Sequence, residues 1–182
     1  INYMKKIIYS VLFAVVGGFS VMCTSAQEKE IAIVAHRGYW NCDAAGSAKN
    51  SLASLKQAQE LGVWGSEFDV NMSLDGELLV FHDGSVDGKK IEKHPASDFD
   101  YYRLKNGEQI PRLDQYLEQA LKHPETMLVF ELKKHSCDSV ETKAVEASIA
   151  KLKEYGLFNP QNVMFISFSK HICKEFAAKA PG

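Results

Sequence analysis

Glu67, Asp69 and His82 fall within one stretch, SEFDVNMSLDGELLVFHD from Ser66 to Asp83, in which two short strands each bring polar groups to an apolar run. Side chains alternate between faces along a strand, so Glu67 and Asp69 project to one side while Phe68 and Val70 project to the other. Two carboxylates on one face can share a cation. Glu131, near the end of the later apolar run from Met127 to Leu132, completes an all-oxygen, anionic set. Such a set suits a hard cation, Ca2+ or Mg2+, better than zinc. His36 and His82 supply imidazoles that titrate near neutrality and can act as proton donor and acceptor. Arg37, next to the first of them, and Lys133, two residues after Glu131, can offset the charge of a phosphate or pair with the site's own carboxylates. The other histidines, His94, His123, His135 and His171, lie in polar stretches or near helix ends and read as structural. His135-Ser136-Cys137 has no CxxC partner and is a weak zinc signal.

Each of these groups needs an element to hold it. The continuous apolar run from Ile31 to Ala35 predicts a buried parallel strand that ends on His36-Arg37-Gly38. Asn50 or Ser51 can cap the next helix, whose Leu52, Leu55, Ala58 and Leu61 recur at helical spacing before Gly62 stops it. Strands over about 65–70 and 78–82 follow, joined through Asp75-Gly76 by too few residues for a helix. The pattern leaves their relative direction open. Residues 84–109 are polar and weakly periodic and read as an excursion from the core. After Ile110-Pro111, Leu113, Tyr116, Leu117, Ala120 and Leu121 mark one face of a helix. A strand over 127–132, a helix over 140–155, a strand over 163–167 and a helix from Lys170 complete the pattern.

Strands alternating with helices predict an α/β fold with a largely parallel sheet, either a barrel or an open doubly wound sheet. His36, the Glu67 and Asp69 pair, His82 and Glu131 each stand near the C-terminal end of a strand. Strands that curve round a common axis bring such ends together, which favours the barrel.

The chain has 182 residues, 46% hydrophobic and 24% charged, enough for one soluble domain with a sizeable core and unlike a disordered or fibrous protein. A net charge of -2 with no basic stripe argues against a nucleic-acid partner. Lys5 and Lys6, the apolar run from Ile7 to Met22 and the small residues Thr24-Ser25-Ala26 predict a signal peptide over 1–26. Export to a periplasm or beyond the cell follows. The run is short for a span and contains Gly17, Gly18 and Ser20, so no stable membrane span is expected after cleavage. Lipidation of Cys23 fits less well, because Val21-Met22 is a poor match to the small residues expected there. Residues 27–182 form the domain, with 19 basic against 23 acidic side chains once Lys5 and Lys6 are removed. Cys42, Cys137 and Cys173 are too few for a disulfide-built scaffold and allow at most one bridge.

Taken in order and spacing, His36-Arg37-Gly38, Asn50-Ser51, Glu67-Phe68-Asp69-Val70, Asp75-Gly76, Phe81-His82-Asp83, Ile110-Pro111-Arg112-Leu113 and Glu131-Leu132-Lys133 resemble the glycerophosphodiester phosphodiesterase family. The resemblance runs from Ile31 to about Ser169. It implies a TIM-type (β/α)8 barrel of the phospholipase-C-like phosphodiesterase kind, present here as roughly its first five strands, with 84–109 as a small insertion after the third. It also implies a divalent cation, Ca2+ or Mg2+, on Glu67, Asp69 and Glu131, with His36 and His82 as acid and base and Arg37 and Lys133 on the substrate phosphate. A glycerophosphodiester would then be hydrolysed to glycerol 3-phosphate and an alcohol through a cyclic phosphate. The rival readings are a related phosphodiesterase acting on lysophospholipid or phosphoinositide, and an inactive, truncated phosphate-binding product. The sequence departs from the family at Lys49, where a glutamate commonly precedes the Asn-Thr or Asn-Ser pair. The family's last barrel strands and helices have no counterpart here, which predicts a fragment of the enzyme.

Overall fold

A computed structural model describes residues 31–180 of the chain, so the signal segment read in 1–26 lies outside the described residues. The first apolar run yields only a two-residue strand, β1 (Val34–Ala35), parallel to the strand that follows it. Its surroundings are the reverse of those expected: Ile31 is 88% and Ile33 61% exposed. An apolar run predicts a strand covered on both faces, but among the described residues β1 is a sheet edge with one neighbour.

Helix α1 (Leu52–Leu61) starts where Ser51 Oγ accepts the Ser54 N–H at 2.9 Å and ends at Gly62 in the left-handed conformation. Strand β2 (Gly65–Met72) is buried along its whole length, as expected of a strand covered on both faces. Strand β3 (Leu78–Val80) returns antiparallel to β2 across the turn at Gly76, which settles the direction that pattern alone leaves open.

The excursion after β3 is smaller in polarity than it reads. It contains a hairpin of β4 (Ser85–Val86) and β5 (Lys89–Lys90) and two 3-10 turns, around a second core of Leu79, Val86, Ile91, Ala96, Phe99 and Ile110. These apolar residues follow neither helical nor strand spacing, so periodicity misses them. The chain then continues through α2 (Leu113–Ala120), β6 (Met127–Leu132), α3 (Asp138–Glu154), β7 (Val163–Ile166) and α4 (Lys170–Lys179).

The main sheet has five strands: β1, β2, β6 and β7 in that order, all parallel, and β3 set off the path on β2. Strand followed by helix, repeated in one parallel sheet, is the α/β pattern that the alternation of elements predicts, and it fits the partial barrel that the polar strand ends favour. Phe68, Val70, Phe130 and Leu132 pack with Leu55, Tyr116, Leu117 and Val145 into the main core. Phe68 stacks on Tyr116 with ring centroids 4.4 Å apart and meets Phe130 edge-on at 5.1 Å. Removing such an aromatic side chain typically costs about 3–5 kcal/mol. With the apolar side chains of β2 committed to this layer, the alternate ones face the other way. Cys42, Cys137 and Cys173 are free thiols. Among the described residues no helix is long and apolar enough to cross a membrane.

Candidate functional site

The register of two parallel strands builds the centre of the site. Asp69 of β2 stands beside Glu131 of β6, and Glu67 stands beside Val129. Glu67 and Asp69, two residues apart, share a face. One oxygen from each of Glu67, Asp69 and Glu131 lies within 4.8 Å of the others, and all three residues are buried. Burial and the Asp69 carboxylate push the Glu67 carboxyl up to about 7. Glu67 Oε1 is buried with no hydrogen-bond partner. An orphaned carboxylate oxygen beside two further carboxylates lacks a positive partner, and the all-oxygen donor set fits a hard divalent cation. The weak zinc signal does not assemble: His135 Nε2 accepts the Met72 N–H at 3.1 Å, while Cys137 Sγ meets Ser139 Oγ at 3.2 Å.

Arg37 enters from the turn after β1. Its backbone is left-handed, with φ of 60°, and is followed by Gly38 at 75°. The Arg37 N–H donates to Glu67 Oε2 at 2.8 Å, and the Gly38 N–H donates to the Glu67 carbonyl at 3.2 Å. A Cβ on residue 38 would lie 2.5 Å from Ser54 Oγ, so only glycine lets this turn press against α1. Arg37 Nε approaches Asp69 Oδ2 at 3.4 Å. Lys133 Nζ reaches Glu131 Oε1 at 2.6 Å and Asp69 Oδ1 at 3.1 Å. Against the opposing effect of burial, these carboxylates hold Lys133 above its ordinary pKa. Both cations therefore pair with the site's own carboxylates, one of the two roles that the sequence leaves open.

His36 Nε2 lies 3.8 Å from Glu67 Oε2, with 70% of its side chain exposed. Partial burial, followed by the Arg37 guanidinium, lowers its pKa. His82 sits beyond the end of β3, in a turn that β2 props up. The Phe81 N–H donates to the Asp69 carbonyl at 2.9 Å, and Asn71 Nδ2 donates to the Phe81 and Asp83 carbonyls at 2.7 and 3.3 Å. His82 Nδ1 is 2.7 Å from Asp83 Oδ1. An ionised carboxylate only accepts, so it selects the tautomer with the proton on Nδ1 and leaves Nε2 as a base.

Asn50 also belongs to the site. Its φ is 57°, and its amide both accepts the Asp69 N–H at 3.2 Å and donates to Asp69 Oδ2 at 2.8 Å. The sequence offers it as one of two helix caps and as part of a family motif with no role attached, and the cap itself is Ser51.

Residues 36–182 match the glycerophosphoryl diester phosphodiesterase family. The chain belongs to this family. A glycerophosphodiester phosphodiesterase of Caldanaerobacter subterraneus subsp. tengcongensis is 28% identical over 163 residues, covering 82% of this chain and 63% of that protein. The crystal structure of a glycerophosphodiester phosphodiesterase from Parabacteroides distasonis is 40% identical with a TM-score of 0.75, covering 80% of this chain and 59% of that one. An Oleispira antarctica phosphodiesterase, solved in complex with the product sn-glycerol-3-phosphate, is 27% identical with a TM-score of 0.65, over 80% of this chain and 61% of that one. The chain thus spans about three fifths of the length of these relatives.

In this member of the glycerophosphoryl diester phosphodiesterase family, the excursion is tied directly to the first turn of α1, just after the loop that carries Arg37 and Asn50. The Glu108 carboxylate accepts the Leu52 and Ala53 N–H groups at 2.8 and 3.1 Å, satisfying two free donors at the start of α1. That contact joins residues 56 positions apart, and no local pattern announces it.

Proposed function

We propose that the protein containing this chain hydrolyses glycerophosphodiesters to glycerol 3-phosphate and an alcohol, with His36 and His82 as acid and base. One observation carries the reading: three buried carboxylates, Arg37 and two imidazoles gather at one side of the parallel sheet, near the C-terminal ends of its strands. Family membership supports it, as does the product bound to the Oleispira antarctica relative.

In this mechanism Arg37 binds a phosphoryl oxygen of the diester, and Lys133 offsets charge that builds on the others. One of His36 and His82 takes the proton of the glycerol 2-hydroxyl as that oxygen bonds to phosphorus. The other gives a proton to the departing alcohol oxygen as its bond to phosphorus breaks. Water opens the resulting cyclic phosphate with the two roles exchanged. Glu67, Asp69 and Glu131 would hold Ca2+ or Mg2+, which when bound neutralises phosphoryl charge. Asp83 on His82 Nδ1 orients that imidazole with Nε2 free to accept a proton, while partial burial and then the neighbouring Arg37 lower the pKa of His36. We take the domain as residues 27–182 with an insertion at 84–109, and place the reaction in a periplasm or outside the cell because of the basic, apolar and small-residue pattern of residues 5–26.

The test is incubation of the purified chain with sn-glycero-3-phosphocholine and Mg2+ or Ca2+. Release of sn-glycerol 3-phosphate, abolished by chelator, is the expected result. Release of phosphocholine instead, or full activity in excess chelator, would count against the reading.

A further inference from the structure

The loop at 47–50, the turn that carries His82 and the chain at 102–105 enclose a cleft of about 360 Å3. Small-molecule sites begin at about this size, roughly 300 Å3. Arg37, Asn50 and His82 stand in its wall, so the cleft opens onto the site described above.

Its walls are fixed. The Leu104 N–H donates to the Glu108 carbonyl at 2.8 Å, and Asn106 Nδ2 donates to Glu108 Oε1 at 2.8 Å. The same Glu108 carboxylate caps α1, so the 104–108 turn is fastened to the helix that follows Asn50. Across the cleft Phe81 and Tyr102 meet edge-on, with centroids 5.6 Å apart.

Its charge is one-sided. Besides Arg37, the lining includes Lys49 and Lys105, and its single acid, Asp83, is engaged with His82 at 2.7 Å. Among the described residues neither lysine forms an ion pair. Lys49 Nζ instead lies 4.5 Å from the centroid of the Trp40 ring. That aromatic face, which could otherwise attract a quaternary ammonium, is already covered by a cation.

We propose that this cleft takes the alcohol part of the diester, and that the alcohol it favours carries its own anionic group, a phosphate or a carboxylate. The inference rests on the phosphodiesterase reading. The glycerol part is common to every such substrate, whereas a cleft that holds two unpaired lysines beside the acid–base pair discriminates among alcohols. An anionic alcohol meets both ammonium groups, a neutral one gains nothing from them, and choline is repelled.

Calorimetric binding to the full chain carrying His36→Ala, which suppresses turnover and lies outside the lining of the cleft, with Ca2+ present and at low ionic strength, tests this with four probes: sn-glycero-3-phosphoinositol 4-phosphate, sn-glycero-3-phosphoinositol, sn-glycero-3-phosphocholine and sn-glycerol 3-phosphate. The phosphorylated inositol ester should bind about tenfold more tightly than the unphosphorylated one, and the choline ester most weakly of the three diesters. The double substitution Lys49→Gln with Lys105→Gln should reduce that tenfold preference to less than about twofold, since both side chains are exposed and unpaired. Binding of sn-glycerol 3-phosphate, which lacks the alcohol, should stay unchanged in the double variant. Equal affinity for the two inositol esters while both lysines are present, or a preference that survives the double substitution, would overturn the inference and leave the phosphodiesterase reading standing. Failure of all four probes to bind would overturn both.

Discussion

Asn50 grips Asp69 at two points, accepting its backbone N–H at 3.2 Å and donating to its Oδ2 at 2.8 Å. The pair ties the loop before α1 to the middle of β2 and fixes which oxygen of Asp69 faces Glu67 and Glu131.

Substituting Asn50→Ala should therefore loosen Asp69 without removing a carboxylate. Partners that orient a ligand typically contribute about 10–100-fold in metal affinity. Titration with Ca2+ or Mg2+ should show a loss in that range. An unchanged affinity would show that Asp69 needs no such support.

Glu67 makes the stability of the metal-free chain depend on pH. Its carboxyl rises from 4.5 to about 7 on folding, so the folded state binds more protons than the unfolded state between these values. Stability from this group is fully present below pH 4.5 and is lost as pH rises through 7. Urea unfolding of chelator-treated protein at pH 5.5 and pH 8, corrected by the same pair of measurements on Glu67→Gln, isolates the effect. The difference between the two proteins should favour the unaltered chain at the lower pH, and added divalent cation should recover stability at the higher one.

The paired imidazoles predict a bell-shaped dependence of turnover on pH, since one must be protonated while the other is not. His36→Ala and His82→Ala should each reduce turnover by about a hundredfold or more. Near-normal turnover in either variant would remove that histidine from the chemistry.

Lys133 sits where a divalent cation would feel its charge, within 2.6 Å of Glu131 and 3.1 Å of Asp69. Lys133→Met should tighten Ca2+ binding by about tenfold, because a competing charge leaves the carboxylates. Turnover should fall at the same time, because the cation that faces the phosphoryl group is gone. Weaker Ca2+ binding in this variant would show that Lys133 orders the carboxylates instead of competing for them.

How far the sequence carries is clearest at single residues. Alternation along β2 is enough to place Glu67 and Asp69 on one face, and helical spacing with Ser51 and Gly62 is enough to bound α1, because both signals are local. The pairing of Asp69 with Glu131 is not local: it depends on the register of two strands joined through an excursion and a helix, and the resemblance to a known family supplies it where pattern does not. Ile31 and Ile33 read as buried because hydrophobicity reports preference and not neighbours. Glu108 and Asn71 could not be singled out at all. Their roles come from backbone groups they meet far along the chain, and a hydrogen bond to a main-chain N–H or carbonyl leaves no trace in the partner's residue type.

The left-handed backbone at Arg37, Ser47 and Asn50, with φ of 60°, 56° and 57°, sets the robustness of the molecule against its usefulness. A side chain held in that region costs about 1–3 kcal/mol, which glycine would largely recover. At Asn50 that recovery would delete the amide that grips Asp69, and at Arg37 it would delete the guanidinium. At Arg37 and Asn50, then, a glycine would make a sturdier chain with a poorer site, so thermal tolerance and activity pull these two positions in opposite directions.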